Sequence, residues 1–264
     1  MKILKNFILV TFLLVLGAGI LFYSKLIVPK ITQESVSESS SPEVLGVPSQ
    51  NPGIDLEWKG SDIRAHYFQV KEVSKIRLLP NFAEKKTSRE IFEEESCSAL
   101  VNGGFYTPES TPTGLFISEA VQIKSFVVSQ LSNAVFSVND FETPRITRMP
   151  PEDPLRLAVQ AGPLLVENGH NQDLKLVRDE QARRVVVGVT DSNETVFVVF
   201  YNQASAFTGP RLDDLPELLV SFQQKAGLSL ADVMNLDGGA ASSFITQDVS
   251  LLEVSPIGSY FCIK

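Results

Sequence analysis

One carboxylate stands apart from its neighbours. In NLDGGAASS, Asn235 to Ser243, Asp237 follows an apolar approach and precedes two glycines, two alanines and two serines. Two more glycine-bearing loops follow apolar runs: VNGGFY, Val101 to Tyr106, and QAGP, Gln160 to Pro163. Glycine at a strand end lets a second backbone or a ligand approach closely. Backbone N–H groups exposed there bind anions. The chemistry suggested is a carboxylate set beside anion-receiving loops. Taken singly, each loop reads as a tight turn.

Other chemistries fail on their residues. No GxxxxGK[ST] is present, and no GxGxxG opens a helix in a βαβ unit, so nucleotide-phosphate binding is not readable. Ser242 and Ser243 lack the GxSxG elbow of a serine hydrolase. The histidines are His66 and His170, and the second sits in the polar turn ENGHNQD. No CxxC or His/Cys cluster indicates zinc, and the oxygens of Asn235 and Asp237 are too common a pair to define a cation site. No metal and no cofactor is therefore assigned. A net charge of −8 without a basic stripe argues against nucleic acid as a partner.

The elements that must position these loops are mostly strands. Short β-compatible runs occupy 66–70, 75–79, 98–101, 114–118, 134–138, 157–160 and 164–166. Asn168-Gly169 marks a hairpin. The clearest hairpin joins Arg184–Thr190 to Thr195–Tyr201 through Asp191–Glu194, and its continuous apolar strands predict cover on both faces. One helix is expected where Leu215, Leu218, Leu219, Phe222 and Ala226 share a face, with Asp213 or Asp214 as cap, Pro216 in the first turn and Gly227 at the end. A short strand, Val233 to Leu236, then delivers Asp237. The fold class expected is α+β: strand-rich mixed sheets with few helices, in a single globular domain behind an N-terminal membrane anchor.

That anchor is read from Phe7 to Tyr23, an apolar run preceded by Lys2 and Lys5 and followed by Lys25. It is long for a signal-peptide core and just long enough to span a bilayer. An uncleaved signal anchor over 1–28 is favoured over a cleaved peptide, giving a single-pass protein of the cell membrane with an extracytoplasmic domain. Residues 29–55, rich in Ser, Glu and Pro, read as a disordered tether, and 56–264 as the folded domain. Cys97 and Cys262 both lie in the exported part. An oxidising compartment permits a disulfide between them; two separate buried thiols are the alternative.

Four segments in order resemble the phosphodiester glycosidase family, a domain found in the enzyme that uncovers mannose-linked phosphodiesters by removing N-acetylglucosamine, and in exopolysaccharide-related bacterial proteins. They are VNGGFYTPESTPTGLFIS, QAGPLLVENG, RRVVVGV and NLDGGAASS, and the resemblance covers roughly residues 60–264. Ala241 removes a hydroxyl that many relatives carry, and Val185 stands where Ser or Thr is usual. The resemblance implies an exported glycosidase acting on sugar-1-phosphodiester bonds of envelope polysaccharide or glycan. Such a reaction passes through an oxocarbenium-like transition state, which a carboxylate stabilises. Asp237 is then the nucleophile or electrostatic stabiliser. Arg184 clamps phosphate, or forms a structural ion pair, and Asn102 hydrogen-bonds the substrate, or caps its turn. Gly103, Gly104, Gly114, Gly162, Gly238, Gly239 and Ser242 are expected to contact substrate. Glu167 is a weaker candidate for a second carboxylate. The alternative function is a non-catalytic glycan-binding envelope protein on the same scaffold.

Overall fold

The computed structural model describes residues 53–264. The expected anchor and nearly all of the tether lie outside the described residues. Among the described residues no helix is long and apolar enough to cross a membrane.

The strands form three sheets. The first has seven strands in the order β1 (Ile54–Trp58), β2 (Ser61–Val70), β13 (Thr195–Asn202), β12 (Arg184–Thr190), β14 (Leu230–Asn235), β10 (Leu164–Glu167) and β11 (His170–Asn171). The second runs β16 (Ser250–Leu251), β15 (Phe244–Ile245), β4 (Ala99–Asn102), β17 (Ser259–Ile263), β3 (Ile76–Pro80). The third runs β6 (Val121–Lys124), β5 (Phe116–Ser118), β9 (Leu155–Ala161), β7 (Ala134–Asn139), β8 (Pro144–Thr147). The strand-rich fold with few helices matches the expectation. The mixed sheets do not: every pairing between these strands is antiparallel. Parallel neighbours need long crossovers, usually helical, and the described residues hold few helices to supply them. Ile54 and Asp55, assigned to the tether from composition, begin β1 and pair with Ala65 and Arg64.

Among the described residues two α-helices cover outer faces. The first, α1 (Ser88–Glu94), was not anticipated from periodicity, yet it carries a capping box between Thr87 and Glu90. Its Ile91 packs with Leu100 and Cys262 on the second sheet. Cys97 and Cys262 are disulfide-bonded there, with Cα atoms 5.4 Å apart. The second helix, α2 (Leu215–Ala226), lies where expected and ends at Gly227 with φ +66°. Asp214 precedes it but makes no side-chain cap; its carboxylate accepts from Lys59 Nζ at 2.5 Å.

The hairpin of β12 and β13 shows why its strands are apolar throughout. Val185, Val187, Val189, Phe197 and Val199 face the main core, shared with Phe116, Phe136 and Phe261 of the other two sheets. Val186, Val196, Val198 and Phe200 face the opposite way, against Leu215, Leu218, Leu219 and Phe222 of α2. A strand buried on both faces has no position for a polar alternation. The same burial fixes the register that sets Arg184 at one end of β12, beside the end of β14 (Val186 opposite Asn235).

Candidate active site

At that end of the first sheet a cavity of about 270 Å³ opens. Arg184, Asn235, Asp237, Gly238 and Gly239 form its floor side. Phe105, Leu131 and the irregular segment from Leu176 to Ala182 form its wall. A larger cavity of about 510 Å³ lies between Val70, Ala99 and Ile263. It gathers none of the motif residues, so the smaller cavity is the chemical candidate.

The floor is a crossing of two strand ends. Asp237 donates its N–H to the Gly103 carbonyl (3.1 Å), and Leu236 donates to that of Val185 (2.9 Å). Asn102 locks the crossing. Its Nδ2 donates to the carbonyls of Asp237 (2.7 Å) and Gly103 (3.1 Å), and its Oδ1 accepts from the Ser243 N–H (2.9 Å). With its amide engaged this way and almost no exposed surface, Asn102 positions Asp237 and does not reach the cavity. This corrects the expected substrate contact in favour of the turn-capping alternative.

Several expected ligand contacts face inward in the same manner. Gly103 N–H donates to Ser259 O (2.7 Å), and Gly239 N–H to Arg183 O (2.9 Å). Gly238 N–H donates to the Asp237 Oδ1 (2.9 Å). None of these three donors is left for an anion. Gly104, Gly114 and Gly162 are buried away from the cavity. A Cβ on Gly114 would meet Gln160 Oε1 at 2.3 Å, and one on Gly104 would meet Val159 at 2.7 Å. Their smallness serves close strand packing rather than ligand access. Gly239 alone among the floor residues needs a left-handed backbone, with φ +62°.

Ser242 is also structural. Its hydroxyl donates to Gly239 O (2.6 Å) and accepts from Arg183 Nε (2.7 Å). Nothing in the sequence around Arg183 sets it apart from Arg184, yet among the described residues it is the largest fully buried side chain. Its remaining nitrogens donate to the carbonyls of Ser242 (2.5 Å), Leu252 (2.6 Å) and Ala206 (3.2 Å). Burial pushes its pKa down from the usual guanidinium value. The pair of arginines in RRVVVGV thus divides its work: Arg183 ties the glycine turn to the core, and Arg184 faces the cavity.

Arg184 does not pair with Asp237. Its Nη2 donates to Asp179 Oδ1 (3.0 Å) and to the Glu180 carbonyl, and its Nε to Pro210 O (3.2 Å). Asp179 also accepts from the backbone N–H groups of Leu212 (3.0 Å) and Asp213 (2.8 Å). Burial raises its pKa, but these donors and Arg184 outweigh that and hold its carboxyl below the usual range.

Asp237 carries the strongest electrostatic signature. Burial pushes its pKa up to about 7, offset in part by the Gly238 N–H. Among the described residues no salt bridge to Asp237 restores the ordinary value. Tyr106 is nearby: burial, then the charge of Asp237, push its phenol up. A carboxyl that titrates near neutrality inside a cavity is suited to catalysis.

The remaining candidates lie elsewhere. Glu167 pairs with Arg148 at 2.7 Å, and His170 is exposed at the start of β11. His66 stacks on Tyr201. Among the described residues no group of three or more His, Cys, Asp or Glu side chains is arranged to hold a metal ion.

The fold is similar to that of the zebrafish N-acetylglucosamine-1-phosphodiester alpha-N-acetylglucosaminidase catalytic domain, auto-inhibited by its pro-peptide. The TM-score is 0.63 at 15% identity, over 81% of each chain. It is also similar to a hypothetical protein from Synechocystis, with a TM-score of 0.53 at 14% identity, over 81% of this chain and 62% of that one. No curated protein sequence gives a significant match. The family model for phosphodiester glycosidases matches residues 95–259, which takes in Asn102, Arg184 and Asp237. This chain belongs to the phosphodiester glycosidase family.

Proposed function

We propose that this chain hydrolyses the bond between the anomeric carbon of a sugar, of the N-acetylhexosamine type, and a phosphodiester in an envelope polysaccharide or glycan. The observation that carries the reading is Asp237: a buried carboxyl with a pKa near 7, fixed at the meeting of two strand ends, facing a cavity with arginines in its lining. The zebrafish relative is named for cleaving this type of linkage.

In such a reaction the anomeric C–O bond breaks and its electrons leave with the phosphate oxygen. Water supplies the new hydroxyl, and its proton passes to solvent or to the released phosphomonoester. The leaving group is already a stable anion, so little general-acid help is required. The ionised Asp237 stabilises positive charge developing at the sugar ring. A domain on the outer face of a membrane fits both the apolar run at 7–23 and the Cys97–Cys262 disulfide, since disulfides persist in oxidising compartments.

The test is incubation of the full chain with an N-acetylglucosamine-1-phosphodiester, following release of reducing sugar. Turnover that disappears in Asp237→Asn supports the reading. No release across several sugars and phosphate acceptors favours a glycan-binding protein. That second reading has one observation behind it: the glycine-loop N–H groups point inward rather than toward a reacting anion.

A further inference from the structure

An anion in this cavity has to be held by something, and most of the expected donors are occupied. The N–H groups of Gly103, Gly238 and Gly239 bond within the floor. Arg184 has its Nη2 and Nε on Asp179, the Glu180 carbonyl and Pro210, which leaves Nη1 as its one unengaged nitrogen, and its charge is already matched by Asp179 across 3.0 Å. One further cation lines the cavity: Arg178. It is exposed, and its guanidinium makes no hydrogen bond or ion pair among the described residues.

Its backbone is nonetheless well placed. The next residue, Asp179, is fastened by its carboxylate to Leu212 N–H, Asp213 N–H and Arg184, and by its carbonyl to Arg211 (2.7 Å). A single-residue lever from a fixed point keeps Arg178 at the cavity while leaving its planar fork available. Such a fork matches two phosphate oxygens with two parallel hydrogen bonds.

We propose that Arg178 is the residue that grips the phosphate group of the ligand, and that Arg184 is a positioning residue that holds the Asp179 anchor. The proposal deepens the reading above and rests on it for the identity of the anion as a phosphate ester. It concerns a contact to substrate, not the bond-breaking step.

Its test does not need turnover. The full chain is titrated calorimetrically with N-acetylglucosamine 1-phosphate and, separately, with inorganic phosphate. The proteins compared are the native protein, Arg178→Met, Arg178→Lys and, as a distant control, Arg145→Met. Arg145 is a surface arginine paired with Asp153. The expected result is a 10- to 100-fold weaker Kd for both probes in Arg178→Met, about what loss of a charge-assisted bidentate contact removes. Arg178→Lys recovers part of it, and Arg145→Met matches the native protein. Affinity in Arg178→Met equal to native overturns the proposal, and so does a native protein that binds neither probe. Phosphate binding that depends on Arg178 without any hydrolysis leaves this proposal standing and removes the catalytic one. Hydrolysis with unchanged KM in Arg178→Met does the reverse.

Discussion

The floor and the wall of the cavity are built on different principles. The floor is made of strand ends whose polar groups bond to one another: Asn102 to both crossing backbones, Arg183 to Ser242 and two further carbonyls. The wall from Leu176 to Ala182 has no regular structure, and it presents Arg178 and Glu180 to solvent. Its polar hold on the domain centres on Asp179, whose carboxylate takes three of the hydrogen bonds, while Leu176 packs on the core beneath α2. The difference teaches where rigidity and recognition reside. A buried carboxyl must be held still by groups that cannot rearrange cheaply, whereas a surface that receives ligands of varied shape needs unengaged charge on an adjustable segment.

The largest effect should come from the floor's one chemical group. Asp237→Asn is expected to lower kcat by on the order of 10³-fold or more, comparable to losing a main electrostatic stabiliser. Full activity in that variant would sink the assignment. Because the native carboxyl titrates near 7, kcat/KM should climb roughly tenfold per pH unit below that value and level off above it. The same raised pKa has a stability consequence. The folded state holds this proton up to about pH 7, while an unfolded aspartate releases it near pH 4. Stability due to this group is therefore present at pH 4 and lost as pH rises toward 7. Asp237→Asn should then be more stable than native at pH 8, by up to a few kcal/mol, with the gap closing toward pH 4 in urea titrations.

Next come lesions that break the floor's internal bonding. Arg183→Met leaves buried carbonyls of Ser242 and Leu252 without partners and should cost about 3 kcal/mol, read from the urea midpoint. Asn102→Ala orphans the Ser243 N–H and should cost about 2 kcal/mol, with activity falling because Asp237 loses its alignment. An unchanged midpoint in both would mean the floor is not the rigid half. The smallest global effect is expected from the wall. Asp179→Ala should lower overall stability by about 1 kcal/mol or less, since the segment can detach and rehydrate Arg184 without unfolding the sheets. Its signature is local: faster amide exchange confined to residues 176–183. If Asp179→Ala destabilises as much as Arg183→Met, the two halves are one cooperative unit and the contrast fails.

The contrast also marks what could be read from sequence. The floor was legible because glycine motifs sit directly after apolar strands, and Asp237, Gly238 and Gly239 do meet Arg184 in one cavity. What motifs do not tell is the direction of each hydrogen bond. Asn102 and Ser242 looked like ligand contacts because polar residues beside glycines suit either role; only the strand crossing decides that they face inward. Arg183 and Arg184 were indistinguishable in type, and the β12 register alone places one inside and one at the cavity. The strands over 184–202 and the helix at 215–226 were legible because burial on both faces and a 3.6-residue stripe leave a pattern. The wall leaves none. In QDLKLVRDEQA charged residues follow no period, and the role of Asp179 depends on N–H groups more than thirty residues away. Helix α1 had a signal that periodicity passes over: Thr87 followed three residues later by Glu90.

Strand β17 forms late in the chain but lies inside the second sheet, between β4 and β3. Its Ser259 carbonyl receives the N–H of Gly103, the same residue whose carbonyl accepts from Asp237. The floor of the cavity therefore leans on a strand that lines no part of it. β17 is itself held on both sides, paired with β4 along one edge and with β3 along the other. A lesion that loosened β17 between β4 and β3 would thus reach Asp237 through Gly103 without touching any group that lines the cavity.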